Sequence, residues 1–279
     1  MINKFASLKT IKTQDILDPK ISILIRCRNE AKDISNFLDS LYIQLEIEKC
    51  EIIFLDSEST DSTVDIISKY NVTIYKINSE EFNYGKTCNL LCSVSNADNL
   101  IILSAHIEIL GENFIRNILS ILMEDENSIY YARQMPKENA SSYDKAYLAF
   151  TFPNKLFSAL NNQSFSNACS FFKKRIWKLK KFPEIHGSED FIWSRELLEY
   201  AVTTIYKPEI KILHSHNESP KEITKRVNIN IKAKSINKIS HKRKIYIYCK
   251  IFIGCFLFSF DLKKSNEYAL AHLAGYNGC

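Results

Sequence analysis

Glycine and proline are scarce in this 279-residue chain, six of each, and the nucleotide-binding signatures built on glycine are missing. No Gly-x-Gly-x-x-Gly follows the first apolar run and no Gly-x-x-x-x-Gly-Lys-Ser/Thr occurs, so the dinucleotide-binding and P-loop readings lose their support. Isoleucine, lysine and asparagine are abundant instead, which reads as coding bias and not as chemistry. Cys-x-x-Cys is absent as well. The eight cysteines stand at 27, 50, 88, 92, 169, 249, 255 and 279, with Cys27 and Cys169 inside apolar or strand-like segments. Reduced thiols in a cytoplasmic protein are the expectation, with a zinc site as the alternative. Met1 to Lys20 is polar and mixed in charge, so no secretory leader is expected there.

The apolar fraction of 46% and charged fraction of 25% lie near globular averages, which excludes wholesale disorder. The length allows one large α/β domain, alone or with a small appendage. A net charge of +5 conceals an asymmetry. Between Lys221 and Lys250 ten Lys or Arg (221, 225, 226, 232, 234, 238, 242, 243, 244 and 250) face the single acid Glu222, giving +9 and leaving −4 for the rest.

Strand and helix signals alternate from residue 21. Ile21 to Arg26 is a β-branched apolar run, followed by helical spacing of Ile34, Phe37, Leu38, Leu41 and Leu45. Glu51 to Leu55 is a second buried strand, and Asp61 is a natural N-cap for a helix carrying Val64, Ile66 and Ile67. Val72 to Ile77 and Leu100 to Leu103 give two more strands, separated by a helix through Leu90, Leu91 and Val94. Such alternation calls for parallel strands with right-handed crossovers. Ligands of such sheets lie beyond the C-terminal strand ends, which here carry the polar sets Arg26 to Glu30, Asp56 to Asp61 and Ser104 to Glu108.

These segments carry a resemblance. Ile21-Ser-Ile-Leu-Ile-Arg-Cys-Arg-Asn-Glu30 and Glu51-Ile-Ile-Phe-Leu-Asp-Ser-Glu-Ser-Thr-Asp61 resemble the opening of family 2 glycosyltransferases of the GT-A fold. Phe82-Asn-Tyr-Gly-Lys-Thr-Cys-Asn89 and Gly187-Ser-Glu-Asp-Phe-Ile-Trp193 add to it. The likeness spans roughly residues 20 to 235 and is nearest the rhamnosyltransferase-like branch, in which Ser-Ala-His replaces Asp-x-Asp. It implies a mostly parallel central sheet flanked by helices, with residues 1–19 as an N-terminal extension, 20–218 as the catalytic domain and 219–279 as a C-terminal helical segment.

The resemblance also implies roles. Asp56 at a strand end can select the nucleotide by accepting the imide N–H of the base or a ribose hydroxyl, with Arg28, Asn29, Glu30 and Ser57 lining the same pocket; Asp56 and Asp61 could equally cap a turn and a helix. The helix opened by Gly85 to Asn89 favours an anion at its start. Similar enzymes carry an arginine where this chain has Cys88, so Lys86 becomes the candidate cation, with Asn89 beside it. Ser104 and His106 replace the two acids of the common pattern. His106 can coordinate a metal, touch the diphosphate directly or be a structural remnant. His214 and His216, two residues apart on an extended segment, point the same way and can join it. An all-imidazole set suits Mn²⁺ better than Mg²⁺. Glu189 and Asp190 fall where similar inverting enzymes hold the base, the aspartate, although an acidic first helical turn looks the same. Asn167 and Trp193 are expected on the acceptor side.

The implied activity is inverting transfer of a sugar from a UDP- or dTDP-linked donor to an oligosaccharide or lipid-linked acceptor in surface polysaccharide synthesis. A degenerate, non-catalytic member is the alternative, motivated by Ser104 and Cys88. A nucleotidyltransferase would need a glycine-rich loop after the first strand, which is missing. Finally, Ile245 to Phe260 is apolar and aromatic but only sixteen residues long and interrupted by Lys250. It is too short for a confident membrane span. It reads as a core helix or as an interfacial segment on the inner face of the plasma membrane. No nucleic-acid recognition module accompanies the basic run.

Overall fold

The computed structural model describes residues 5–154, 165–233 and 239–278; Lys234, Lys238 and Cys279 lie outside them. The first strand, β1 (Lys9–Lys12), runs antiparallel to β4 (Thr73–Lys76). Part of the expected N-terminal extension is therefore the edge of the central sheet. β2 (Ile21–Cys27), β3 (Cys50–Asp56) and β5 (Asn99–Ser104) follow, and β4, β3, β2 and β5 are neighbours in that order, all parallel. Both faces of these strands are covered, which is why each reads as a continuous apolar run and not as an alternation.

Three helices make the crossovers: α1 (Ile34–Tyr42), α2 (Thr63–Ile67) and α3 (Tyr84–Val94). α1 buries Ile34, Phe37, Leu38 and Leu41 as its spacing requires, but it ends at Tyr42, so Leu45 lies past it and is exposed. α2 begins one residue later than an Asp61 cap would place it. Asp61 instead accepts from Thr63 N (3.0 Å) with one oxygen and from Ala31 N (3.1 Å) with the other, tying the loop after β3 to the loop after β2. α3 is capped by Asn83, whose carboxamide accepts from Lys86 N at 3.0 Å.

The second half is mixed in direction. β6 (Glu108–Ile109), α4 (Phe114–Glu124), β7 (Ser128–Met135), α5 (Ser142–Thr151) and β8 (Cys169–Lys173) are followed by α6 (Lys174–Leu179), α7 (Glu189–Glu196) and β9 (Thr203–Leu213). The order continues β5-β8-β7-β9-β6, with β8 antiparallel to both neighbours, β7 and β9 parallel, and β6 antiparallel to β9. One apolar layer, including Phe37, Phe54 and Phe171, covers one face of the sheet; another, including Leu24, Phe172 and Trp193, covers the other. The C-terminal helices α8 (Pro220–Ala233), α9 (His241–Ser259) and α10 (Leu262–Ala274) pack on α5 through Tyr143, Ala146, Val227, Ile251 and Tyr268.

Strand register sets the site. Cys27 lies opposite Asp56 and Arg26 opposite Ser104, so the polar residues that end these strands share one edge of the sheet. β9 reaches the same edge by pairing with β6, Glu108 opposite Leu213, which carries His214 up to His106.

Candidate active site

The histidines converge. His106 Nε2 lies 3.0 Å from His214 Nε2, and one ring nitrogen from each of His106, His214 and His216 falls in a group spanning at most 4.8 Å. The other nitrogens are committed: His106 Nδ1 faces Glu30 Oε1 at 3.1 Å and His214 Nδ1 faces Gln134 Oε1 at 2.8 Å. An oxygen acceptor fixes Nδ1 as the protonated nitrogen. Both Nε2 lone pairs then point at each other. Burial, followed by the charges of its histidine neighbours, pushes His214 well below the ordinary imidazole range. His216 is lowered to about 3, first by burial and then by His106 and Arg226, although its outer surface stays open to solvent, which tempers the fall. Two lone pairs so close repel unless a cation or proton lies between them. Ligands at right angles around an ion with bonds of about 2.1 Å stand roughly 3 Å apart, which the observed separation matches. The His106–His214 pair therefore fits a divalent ion, with Glu30 and Gln134 orienting the two rings, and a His216 ring nitrogen lies within 4.8 Å of both.

A cavity of about 560 Å³ adjoins this cluster. It is lined by Arg26, Ser104, Gln134 and Asn167, by residues 186–191, by His214 and His216, and by Glu222, Lys225, Arg226 and Asn230 of α8. Residues 220–233, expected to belong to a separate C-terminal segment, thus form one wall of the site.

The acid pair enters from a sharp turn. Gly187 (φ +114°) and Ser188 (φ +57°) both occupy the left-handed region, and a Cβ on Gly187 would meet Ile229 Cγ2 at 2.8 Å. That turn starts α7 directly on Glu189 and Asp190. Asn167 N donates to Asp190 Oδ2 (3.1 Å) and Phe191 N donates to Asp190 Oδ1 (2.7 Å). Protein surrounds the carboxyl, yet part of the residue faces the cavity. Burial first, and the adjacent Glu189 charge second, raise Asp190 to about 7, against the two N–H donors and the Arg26 cation. A carboxylate near neutrality can accept a proton and release it again. Glu189 accepts from Arg26 (3.3 Å) and from Asn167 Nδ2 (3.5 Å). Arg26 also donates to Tyr84 O at 3.0 Å and lies 5.2 Å from the centre of the Tyr84 ring.

Several expected site residues are elsewhere. Trp193 is wholly buried, packed in tilted contacts among Phe165, Phe172 and Phe182 with its Nε1 donating to Lys180 O (2.7 Å), and takes no part in lining the cavity. It falls one helical turn after Glu189, on the inward side of α7. Asn89 is an internal brace: its oxygen accepts from Trp177 Nε1 and Phe182 N, and its amide donates to Phe182 O. Lys86 lies over the Phe5 ring, 4.0 Å from its centre, outside the cavity. Arg28 and Asn29 are exposed, and Asn29 Oδ1 accepts from Thr60 N at 2.8 Å. Asp56 is fully buried, accepting from Ser59 N (3.0 Å) and Ser59 Oγ, and the Ser57 hydroxyl is buried without a partner. Arg26, Gln134 and Arg226 carry much of the site's order; Arg26 belongs to the strand-end set Arg26 to Glu30 but has no role assigned from sequence, and Gln134 and Arg226 have no site signal in the sequence.

The fold and the site define a GT-A glycosyltransferase. The profile of glycosyl transferase family 2 matches residues 22–182, and the chain belongs to that family. Among curated proteins it is 26% identical over 217 residues to the O-antigen chain rhamnosyltransferase RfbN of Salmonella typhimurium, covering 73% of this chain and 68% of RfbN. It is 26% identical over 185 residues to WbaN of Salmonella anatum, an O-antigen chain rhamnosyltransferase, covering 62% and 58%. Among solved structures, the mannosyltransferase PcManGT of Pyrobaculum calidifontis, in complex with GDP-Man and Mn²⁺, matches with a TM-score of 0.61 at 16% identity, over 96% of this chain and 79% of that one. S. aureus TarS (residues 1–349) with UDP-GlcNAc matches with a TM-score of 0.54 at 15% identity, over 90% and 79%. At these identities the solved structures speak for the fold.

Proposed function

We propose that this enzyme moves a sugar from a nucleoside-diphosphate donor to a hydroxyl of a growing bacterial surface saccharide, with inversion at the anomeric carbon. The observation that carries the reading is Asp190, a carboxylate raised to about 7 that opens on a cavity large enough for sugar rings. The acceptor hydroxyl gives its proton to Asp190 as its oxygen bonds to the anomeric carbon. The bond from that carbon to the diphosphate oxygen breaks, and the nucleoside diphosphate leaves with the electron pair. Arg26 and Asn167 hold the acid pair in place. Glu30 and Gln134 orient His106 and His214 so that their Nε2 lone pairs converge on one point, where a cation would sit.

A divalent cation held by His106, His214 and His216 would neutralise charge on the leaving diphosphate. Neutral imidazoles supply no negative charge, so Mn²⁺ suits them better than Mg²⁺. The depressed values of His214 and His216 favour this over neutralisation by charged histidines. The names of RfbN and WbaN support a rhamnosyl or related deoxyhexosyl donor, UDP- or dTDP-linked, and an oligosaccharide or lipid-linked acceptor. The test is a turnover screen of UDP-, dTDP- and GDP-sugars with saccharide acceptors, with and without Mn²⁺, followed by NMR of the new anomeric linkage. Product that retains the donor's anomeric configuration would overturn the single-displacement reading.

A further inference from the structure

α9 is apolar on two opposite faces. One side buries Ile251, Gly254 and Cys255 against α5 and α10. Gly254 lets α5 approach closely, since a Cβ there would meet Ala146 Cβ at 2.8 Å. The other side carries Ile245, Cys249, Ile253 and Leu257, four residues apart as one helical stripe requires, and Phe260 follows just past the helix end. These side chains are exposed: Ile253 by 54%, Leu257 by 62% and Phe260 by 78%. The stripe extends along a helix of nineteen residues, about 28 Å. Leu262, at the start of α10, prolongs it. A helix apolar all round belongs in an apolar environment, and among the described residues nothing covers this face.

We infer that the outer face of α9 docks in the plane of an anionic lipid bilayer, with its inner face held by the protein. Charge selects this occupant. From His241 to Lys264 six Lys or Arg (242, 243, 244, 250, 263 and 264) stand against one acid, Asp261. Lys242 and Arg243 are exposed at one end of the stripe, Lys263 and Lys264 at the other. Cations flanking an apolar stripe match anionic headgroups around an acyl surface. A second copy docked on the same face would bring like charges together at both ends. Among the described residues no helix is long and apolar enough to cross a membrane, and α9 is fixed along its length by α5 and α10, so it lies flat on the surface. α5 connects this face to the cavity, because Tyr147 and Thr151 line both the active-site cavity and a smaller hollow under α9. The cavity then opens close to the headgroup layer. The inference does not depend on which sugar is transferred.

Co-sedimentation of the full chain with vesicles of phosphatidylglycerol and phosphatidylcholine in equal parts, against phosphatidylcholine alone, tests it. Binding is expected only to the anionic vesicles and should weaken in high salt. Replacing Lys242, Arg243 and Lys244 with Gln should weaken it about fivefold per residue. Ile253→Glu with Leu257→Glu should weaken it by about a hundredfold; both side chains are exposed, so the melting temperature should hold. The unaltered chain supplies an independent readout. Cys249 sits within the stripe and is the one exposed thiol among the described cysteines. Its alkylation by a charged maleimide, followed at the peptide level, should slow when anionic vesicles are present. Absence of binding at low salt, equal binding by the Glu variants, or a dimer that shields Cys249 without lipid would each overturn the proposal.

Discussion

The pH dependence of transfer follows from one carboxyl. If Asp190 accepts the acceptor proton, only its ionised form works. Its value is raised to about 7 by burial and by Glu189. The ionised fraction is then about 0.1 at pH 6, about one half at pH 7 and about 0.9 at pH 8, so kcat/KM should rise about tenfold from pH 6 to pH 8 and then level. His214 and His216, depressed by burial, stay neutral across that interval and add no second limb. Arg26 favours the ionised form, so Arg26→Gln should move the rising limb to higher pH. Asp190→Asn should remove the limb together with activity, a loss on the order of 10²–10⁴ in rate, while donor affinity stays near normal. The assay is an initial-rate profile at saturating Mn²⁺, with donor affinity measured on the same preparations. A rate that is flat from pH 6 to pH 8, or that falls as pH rises, would refute Asp190 as the base.

The same carboxyl makes a prediction about stability. Its folded value of about 7 lies above the ordinary 3.8, so between those limits the unfolded chain has released a proton that the folded chain retains. The contribution is present in full below the ordinary value and is lost as pH rises through about 7; Asp190→Asn should therefore melt higher than the unaltered enzyme at pH 8, read by calorimetry. His214→Ala should reduce stimulation by Mn²⁺ by tenfold or more while preserving folding, and full activity in EDTA would remove the metal from the mechanism. Asn89→Ala would strand Trp177 Nε1 and the Phe182 backbone, costing about 1–3 kcal/mol for each unpaired group, visible in urea unfolding.

The first half of the fold was legible because its strands are buried on both faces. Ile21–Cys27 and Cys50–Asp56 could be apolar throughout, and their polar successors marked the strand ends. Glu189 and Asp190 were legible as a pair at a helix start. The second half was not: β8 and β9 return antiparallel or skip neighbours, and pairings between residues forty or more apart leave no local period. Asn89 and Trp193 show a different limit. Membership of a motif placed them near the site, but the direction of a side chain depends on what packs against its helix, and both turn inward. Conversely Gln134, Arg226 and the wall made by α8 were invisible because their partners come from other elements. The C-terminal run reads as either core or interfacial because α9 has one buried face and one exposed apolar face, and composition alone does not separate them.

β6 has two residues and, among the described residues, only β9 for a neighbour, at the outer edge of the sheet. Edge segments of that size open locally at a small fraction of the cost of global unfolding. Opening here would part His106 from His214, which come together across that pairing. Any group that bridges the two rings is therefore a clasp on the sheet margin. Amide exchange at Leu110, whose N–H donates to Lys211 O at 3.3 Å, would register the clasp closing without any sugar being transferred.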